Sequence, residues 1–367
     1  MKILLVIDSL GSGGAQSLFI NVVNGLAARH DVTVFFYHYN SDFHSSDLVD
    51  TITVVSAKRS PRKGFSAMVL WQLIAQIRRC DVVVSFQITA NIYCAMARLF
   101  ALGTRQISCE MSIINEMESP FRRFIANVAN LMSSHVVCNS YTQTTYVASR
   151  FGMKRKATTI WSGCKEMAFV PRPPVNPRDH AMLVVGRIAY PKNGVRLLQA
   201  LHLFHKKHGF IPRVSWAGRD DNSNELSVQM KQQMVEFLEA HPHVKERFHF
   251  LGEVSDVAAL HAQSDTLLSA SIYEGMPVVI CEAMISGCPV IASRISDNSI
   301  ALGEKQERGF LCDPLSPADI CAAIERRLSA TPEKIEQMVL RARTFASQEY
   351  LTDKMVEQYN NIIESVV

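Results

Sequence analysis

An α/β fold of two doubly wound parallel-sheet domains is what this sequence predicts, on three observations. Apolar segments of strand length alternate with helical patterns through both halves of the chain, as expected of strands buried on both faces of a parallel sheet and joined by crossover helices. The alternation is interrupted once, between Val170 and Pro177, where four of the chain's 14 prolines fall together and a linker is expected. The length, 367 residues, supplies two domains with a core each.

Lys2 to Asp8 (KILLVID) reads as the first strand, feeding a glycine-rich turn and a helix that runs to about Arg29. Gly13 and Gly14 let the backbone of that turn approach a diphosphate or an acceptor. A dinucleotide site would want a third glycine where Gln16 stands, and a ribose-binding acid where the next strand instead ends in Tyr37-His38-Tyr39, so an oxidoreductase fits poorly. Strands follow at Val32–Phe36, Thr51–Val55, Asp81–Phe86, Arg105–Ser108 and His135–Asn139, with helices at Phe65–Arg78, Ala90–Leu102, Pro120–Ser134 and Tyr141–Phe151.

Beyond the linker the alternation restarts with strand Ala181–Val185, a helix from Val195, strand Arg213–Ala217, helix Glu225–Glu239, strand Phe248–Leu251 and a short helix Asp256–His261. The chain closes with a strand at Gly309–Cys312 and helices at Pro317–Leu328, Pro332–Ser347 and Leu351–Ile363. The expected domains are residues 1–171 and 178–346, followed by a terminal segment, 347–367.

A composition of 48% hydrophobic and 20% charged residues excludes a disordered chain or a coiled coil. No uncharged apolar run approaches the roughly 20 residues of a membrane span, and Lys2–Ile7 lacks the length and cleavage site of a signal peptide; a cytoplasmic protein is expected. The nine cysteines are scattered and without Cys-x-x-Cys spacing, which suits packed thiols in a reducing compartment and no structural zinc. His202, His205 and His208 spread over more than one helix face with lysines between them, the pattern of a solvated helix, so no metal is expected there.

Residues 1–175 carry 18 Lys plus Arg against 10 Asp plus Glu, while the remainder carries 20 against 24. The basic half holds Lys58-Arg59, Arg62-Lys63, Arg78-Arg79, Arg122-Arg123 and Lys154-Arg155-Lys156. Phe121, Phe124, Ile125, Val128 and Met132 form an apolar stripe beside Arg122 and Arg123. That helix reads either as a surface for an anionic membrane or as a core stripe with solvated arginines. No nucleic-acid motif is present.

The stretch Glu274–Ser293 (EGMPVVICEAMISGCPVIAS) is the most informative. A buried strand, Ser264–Ser271, leads into the tight turn Tyr273-Glu274-Gly275. Met276 and Pro277 then open a helix, Val278–Ser286, which stops at Gly287 with Pro289 beyond, before a further strand. A helix N-terminus at the end of a parallel strand favours phosphate. Glu282, one turn into the helix, can aim at sugar hydroxyls, so the unit reads as a cradle for a nucleotide sugar. Arg187 and Lys192, on another strand-to-helix turn, suit a diphosphate that gains charge as it leaves.

Two glutamates with seven residues between them, then Ala-Met and Gly-x-Pro-Val-Ile, resemble the donor-site signature of glycosyltransferase family 4. The segment from Gly186 to Gly194 resembles that family's Gly-Arg-Leu-x-x-x-Lys-Gly motif, with Ile188 for Leu and Asn193 inserted before Gly194. The resemblance implies a GT-B architecture, two Rossmann-like domains facing across a cleft, the last helix crossing back to the first. It implies a retaining enzyme of EC class 2.4 that moves a hexose from a UDP-sugar, or a GDP-sugar, to a glycan or polyprenyl-linked glycan in polysaccharide or lipopolysaccharide biosynthesis. Arg187, Lys192 and Glu274 would act at the reacting centre, with Gly275, Met276, Pro277, Val278 and Glu282 lining the donor site and Val254 near the base.

Asn139-Ser140 resembles a family pair, and Glu110 stands where many members carry a histidine, its role open. Front-face attack, with the leaving phosphate taking the acceptor's proton, would need no protein nucleophile, no cofactor and no metal. The rivals are a nucleotide-sugar epimerase on the same fold and a non-catalytic partner subunit.

Overall fold

The valine and isoleucine runs of the first half assemble into one sheet because each is apolar on both faces and can be covered only by helices on both sides. The computed structural model describes residues 1–10, 14–38, 47–59, 65–111, 119–150, 152–170, 176, 178–222 and 224–367. Strands β1 (Lys2–Ser9), β2 (Asp31–His38), β3 (Thr53–Arg59), β4 (Val82–Phe86), β5 (Arg105–Glu110), β6 (His135–Cys138) and β7 (Ala157–Thr159) lie in the order β3-β2-β1-β4-β5-β6-β7, each pairing parallel. Helices α1 (Gly14–Ala27), α2 (Ala67–Ile77), α3 (Ile88–Arg98), α4 (Pro120–Met132) and α5 (Tyr141–Ala148) make the crossovers. Ser66, Ser119 and Ser140 cap α2, α4 and α5 through their hydroxyls, satisfying N–H groups that a helix start leaves open.

The second half repeats the plan. Strands β8 (Ala181–Val185), β9 (Arg213–Ala217), β10 (Phe248–Gly252), β11 (Thr266–Ser269), β12 (Val290–Ser293) and β13 (Phe310–Cys312) are ordered β10-β9-β8-β11-β12-β13, again parallel throughout. Around them lie α6 (Gly194–His208), α7 (Glu225–Ala240), α8 (Pro242–Lys245), α9 (Val257–Gln263), α10 (Val278–Ser286), α11 (Asn298–Leu302), α12 (Pro317–Leu328) and α13 (Pro332–Glu349), while the last helix, α14 (Thr352–Val366), groups with the first sheet. In both sheets the chain winds outward one way, then returns to the other side of its first strand. The reversals fall between β1 and β4 and between β8 and β11, the places where open α/β sheets bind ligands.

Two units result, Met1–Gly163 with Tyr350–Val367, and Cys164–Glu349. Cys164–Val170 thus groups with the second unit; the Val170 N–H donates to the Ser286 carbonyl at 3.1 Å. Of the proline-rich stretch expected as a linker, 171–175 and 177 lie outside the described residues. Helix α14 packs on α1, where a Cβ on Gly25 would meet Val356 at 2.5 Å, and its Tyr359 and Ile363 join Leu5, Ile7, Phe19 and Phe86 in the first core. The second core gathers Trp216, Phe204, Leu201 and Met234.

The reading of the α4 stripe as core is corrected by the structure. Helix α4 buries Ala126, Asn127, Ala129 and Asn130 and leaves Phe121 and Phe124 exposed, at 73% and 58%, along with Leu131 and Met132. The small residues let α4 lie close to α3, and Asn130 is drawn inward by a buried carboxylate described below. No described helix is long and apolar enough to cross a membrane.

Candidate functional site

The β8/β11 reversal carries the residues singled out in the sequence. After β8 the chain passes Gly186 and Arg187 into a 3₁₀ turn, Tyr190–Lys192, and enters α6 through Asn193. After β11 it runs past Ser271 and Glu274 to Pro277, just ahead of α10. Three contacts stitch the two loops together. Asn193 Nδ2 donates to the Ala270 carbonyl at 2.9 Å, the Ile272 N–H donates to the Pro191 carbonyl at 2.7 Å, and Lys192 Nζ lies 2.7 Å from Glu274 Oε1. The Ser271 hydroxyl donates to the same oxygen at 3.0 Å, so Glu274 is oriented from two sides.

Backbone shape makes this possible. Gly186 has φ 134°, and a Cβ there would meet Lys192 Cε at 2.7 Å; the bare backbone is the bed on which the lysine lies. Asn193 takes φ 62°, a left-handed conformation that Asn tolerates better than most residues, and its Nδ2 also donates to the Pro314 carbonyl at 2.7 Å. The sequence reading treated Asn193 only as an insertion. An asparagine at a loop-to-helix junction was the available signal.

Arg187 pairs with a different carboxylate: its guanidinium lies 3.5 Å from Asp221 Oδ1, with the side chain 57% exposed. The structure therefore joins Lys192 to Glu274 but gives Arg187 a separate acidic partner that sequence reasoning passed over. Helix α10 begins and ends where the signature placed it, and no side chain caps its N-terminus. Met276 and Pro277 are buried, Gly275 and Val278 half-buried. Glu282 Oε2 lies 3.8 Å from Nε2 of His261, a wholly buried residue of α9 that the sequence gave no reason to select. Val254 follows β10 and is half-buried.

In the first unit the expected residues are differently employed. Gly13 lies outside the described residues, and Gly14 opens α1. Ser140 is spent capping α5 through Gln143 N–H at 3.2 Å, and Asn139 Nδ2 donates to the Met111 carbonyl at 3.0 Å; both are buried. Glu110, a candidate whose role the sequence left open, is wholly buried, its Oε1 accepting from Asn130 Nδ2 at 2.8 Å and from Asn91 Nδ2 at 3.3 Å. Burial pushes its carboxyl up to about 7, against the lowering effect of the two amides. In this structure it braces α3 and α4 against β5.

Two residues not selected from sequence meet at the β1/β4 reversal. Gln87 adopts φ 76°, and its amide nitrogen, in the orientation that satisfies both groups, donates to the two Asp8 carboxylate oxygens at 2.9 and 3.0 Å. Burial raises the Asp8 carboxyl despite the Ser9 N–H and nearby His38. Of the three histidines of α6, His202 and His205 both meet His243, His202 Nδ1 at 2.9 Å from its Nε2 and the His205 ring stacked on it at 4.3 Å, whereas His208 bonds Glu325 at 3.0 Å.

Residues 12–164 match the family described as Glycosyltransferase Family 4, and residues 179–330 the family described as Glycosyl transferases group 1. An undecaprenol-diphosphate glycan α-1,4-N-acetyl-D-galactosaminyltransferase from Campylobacter jejuni is 24% identical over 85% of this chain and 85% of its own. An amylovoran biosynthesis glycosyltransferase from Erwinia amylovora is 22% identical over 99% of both chains. Among solved structures, the Anabaena protein HepE in complex with UDP and glucose superposes with a TM-score of 0.82 at 20% identity, covering 100% of each chain. That likeness shows a GT-B fold.

Proposed function

Given that the chain belongs to the family 4 glycosyltransferases, we propose that it transfers a hexose, with retention, from a UDP-sugar to a polyprenyl-linked glycan in the assembly of a surface polysaccharide. Relatives named for lipid-linked glycan transfer and for amylovoran biosynthesis support the acceptor class, and a neighbour crystallised with UDP and glucose supports the nucleotide. The observation that carries the reading is the Lys192–Glu274 pair, 2.7 Å apart at the sheet's reversal point.

The chemistry follows from what these groups can do. As the bond between sugar and diphosphate breaks, negative charge grows on the leaving phosphate; the Lys192 ammonium, the exposed Arg187 guanidinium and the open N-terminus of α10 meet it. Glu274, oriented by Ser271, and Glu282 accept hydrogen bonds from sugar and ribose hydroxyls. The leaving phosphate oxygen takes the acceptor hydroxyl's proton, so no protein base and no metal are required. Titration of the purified protein with a panel of UDP- and GDP-sugars tests this. One UDP-sugar is expected to bind, with Glu282→Ala abolishing it; binding of no nucleotide, or binding indifferent to that change, overturns the reading.

The first unit is proposed to lie against an anionic membrane surface. Helices α2, α3 and α4 contain no Asp or Glu, and Trp71, Phe121 and Phe124 are exposed on them beside Arg122 and Arg123. Each basic residue near such a surface contributes about 1 kcal/mol. Co-sedimentation with phosphatidylglycerol-containing vesicles, and its loss in Phe121→Ser/Phe124→Ser, is expected; equal sedimentation with neutral vesicles, or none, rejects it.

A further inference from the structure

Within the second unit a pocket of about 320 Å³ lies between the N-terminal halves of α6 and α7, beside the stitched loops. Its lining holds one cation, Arg196, and no carboxylate. Arg196 spends Nη1 on Asn193 Oδ1 at 3.1 Å, leaving the rest of its guanidinium without an acidic partner among the described residues. Gln199 and Gln233 also line it, and neither amide is engaged among the described residues. Met230, buried, and Leu226 supply an apolar wall.

Unspent amides suit hydroxyls, an apolar wall suits the C–H face of a sugar ring, and a guanidinium suits a phosphate or carboxylate. We propose that this pocket binds an anionic monosaccharide, a hexose bearing one phosphate or carboxylate, at a site separate from the Lys192–Glu274 pair. The pocket touches the machinery beside it. Tyr190, on its wall, opens the turn that ends in Lys192, and Ile272, also on its wall, holds the Pro191 carbonyl two residues before Glu274. An occupant that shifts these two side chains shifts both loops, so it changes nucleotide affinity, and the nucleotide changes its affinity by the same factor. This coupling rests on the donor-site reading; the pocket itself does not.

Calorimetric titration of the full chain with glucose 6-phosphate, glucuronate, glucose and inorganic phosphate tests the site directly. Saturable binding of glucose 6-phosphate or of glucuronate is expected, the preference telling a phosphorylated ligand from an acidic one, with glucose and inorganic phosphate weaker by about tenfold or more. Arg196→Ala and Gln199→Leu should each cost a similar factor while leaving thermal unfolding unchanged. Absence of binding by both anionic hexoses, equal binding by inorganic phosphate, or binding unaltered in both variants overturns the proposal. Hexose binding with no UDP binding would sink the donor reading and leave the pocket standing. UDP affinity unchanged by saturating glucose 6-phosphate would overturn the coupling.

Discussion

Lys192→Ala is expected to slow sugar transfer by about 10²–10³, the loss typical of removing one preorganised charge from a developing anion. The side chain is placed for that role by Gly186, on which it lies, and by Glu274, 2.7 Å away, with only 19% of its surface exposed. Its ammonium therefore arrives already positioned, with little reorganisation left for the moment of bond cleavage. The fall should appear mainly in kcat, because the charge it opposes is greater in the transition state than in the bound donor. A rise in KM alone would make Lys192 a ground-state anchor. A purely local role is separable too: if Lys192 served only to neutralise Glu274, Lys192→Ala/Glu274→Ala would recover the rate, whereas the double variant is expected to be at least as slow as the single one.

Glu110→Gln should change how stability depends on pH. In the folded chain burial holds the Glu110 carboxyl at about 7, against an ordinary 4.5, so as pH rises the unfolded chain loses this proton first. Stability from this group is thus fully present below about pH 4.5 and falls as pH rises to about 7, by about 3 kcal/mol at 1.36 kcal/mol per unit. Glutamine keeps the shape and the acceptor facing Asn91 and Asn130 but cannot ionise. Denaturant unfolding at pH 5 and pH 8 should show wild type losing more stability than the variant between those values. His180, whose imidazole burial and Arg327 push down to about 4, acts oppositely by costing stability as pH falls below 6.5. It is common to both proteins and cancels in the difference. Identical slopes in the two proteins would mean that Glu110 is ionised at neutral pH in the fold.

The turn and helix that follow β11 were legible because their constraints are local. Pro277 ahead of a helix, Gly287 at its end with φ 78°, and an apolar strand on either side fix strand, turn and helix within twenty residues, and α10 spans Val278–Ser286 as read. Short elements such as β7, α8 and α11 were not foreseen, since three to five residues hold too little of a period to register. Asn193, Asp221 and His261 were also missed. Each matters through a partner distant in the chain, set by the fold's wiring and not by a motif, as Asn193 does through the Ala270 and Pro314 carbonyls, 77 and 121 residues away.

Helix α4 marks the boundary between the two kinds of information. Its sequence determined a helix with an apolar stripe and a Ser119-Pro120 start; it could not say which face turns inward. The packed structure buries Asn127 and Asn130 with two alanines, because a carboxyl on β5 needs an amide and α3 needs a close neighbour, and the phenylalanines are left outside. The sequence by itself determined two parallel α/β units and the strand, turn and helix of the loop after β11, since periodicity, capping and turn chemistry act over a few neighbouring residues. Only the tertiary structure decided that Lys192 meets Glu274 while Arg187 meets Asp221, and that Glu110 is a buried brace, because those pairings depend on which strand ends the sheet order brings side by side.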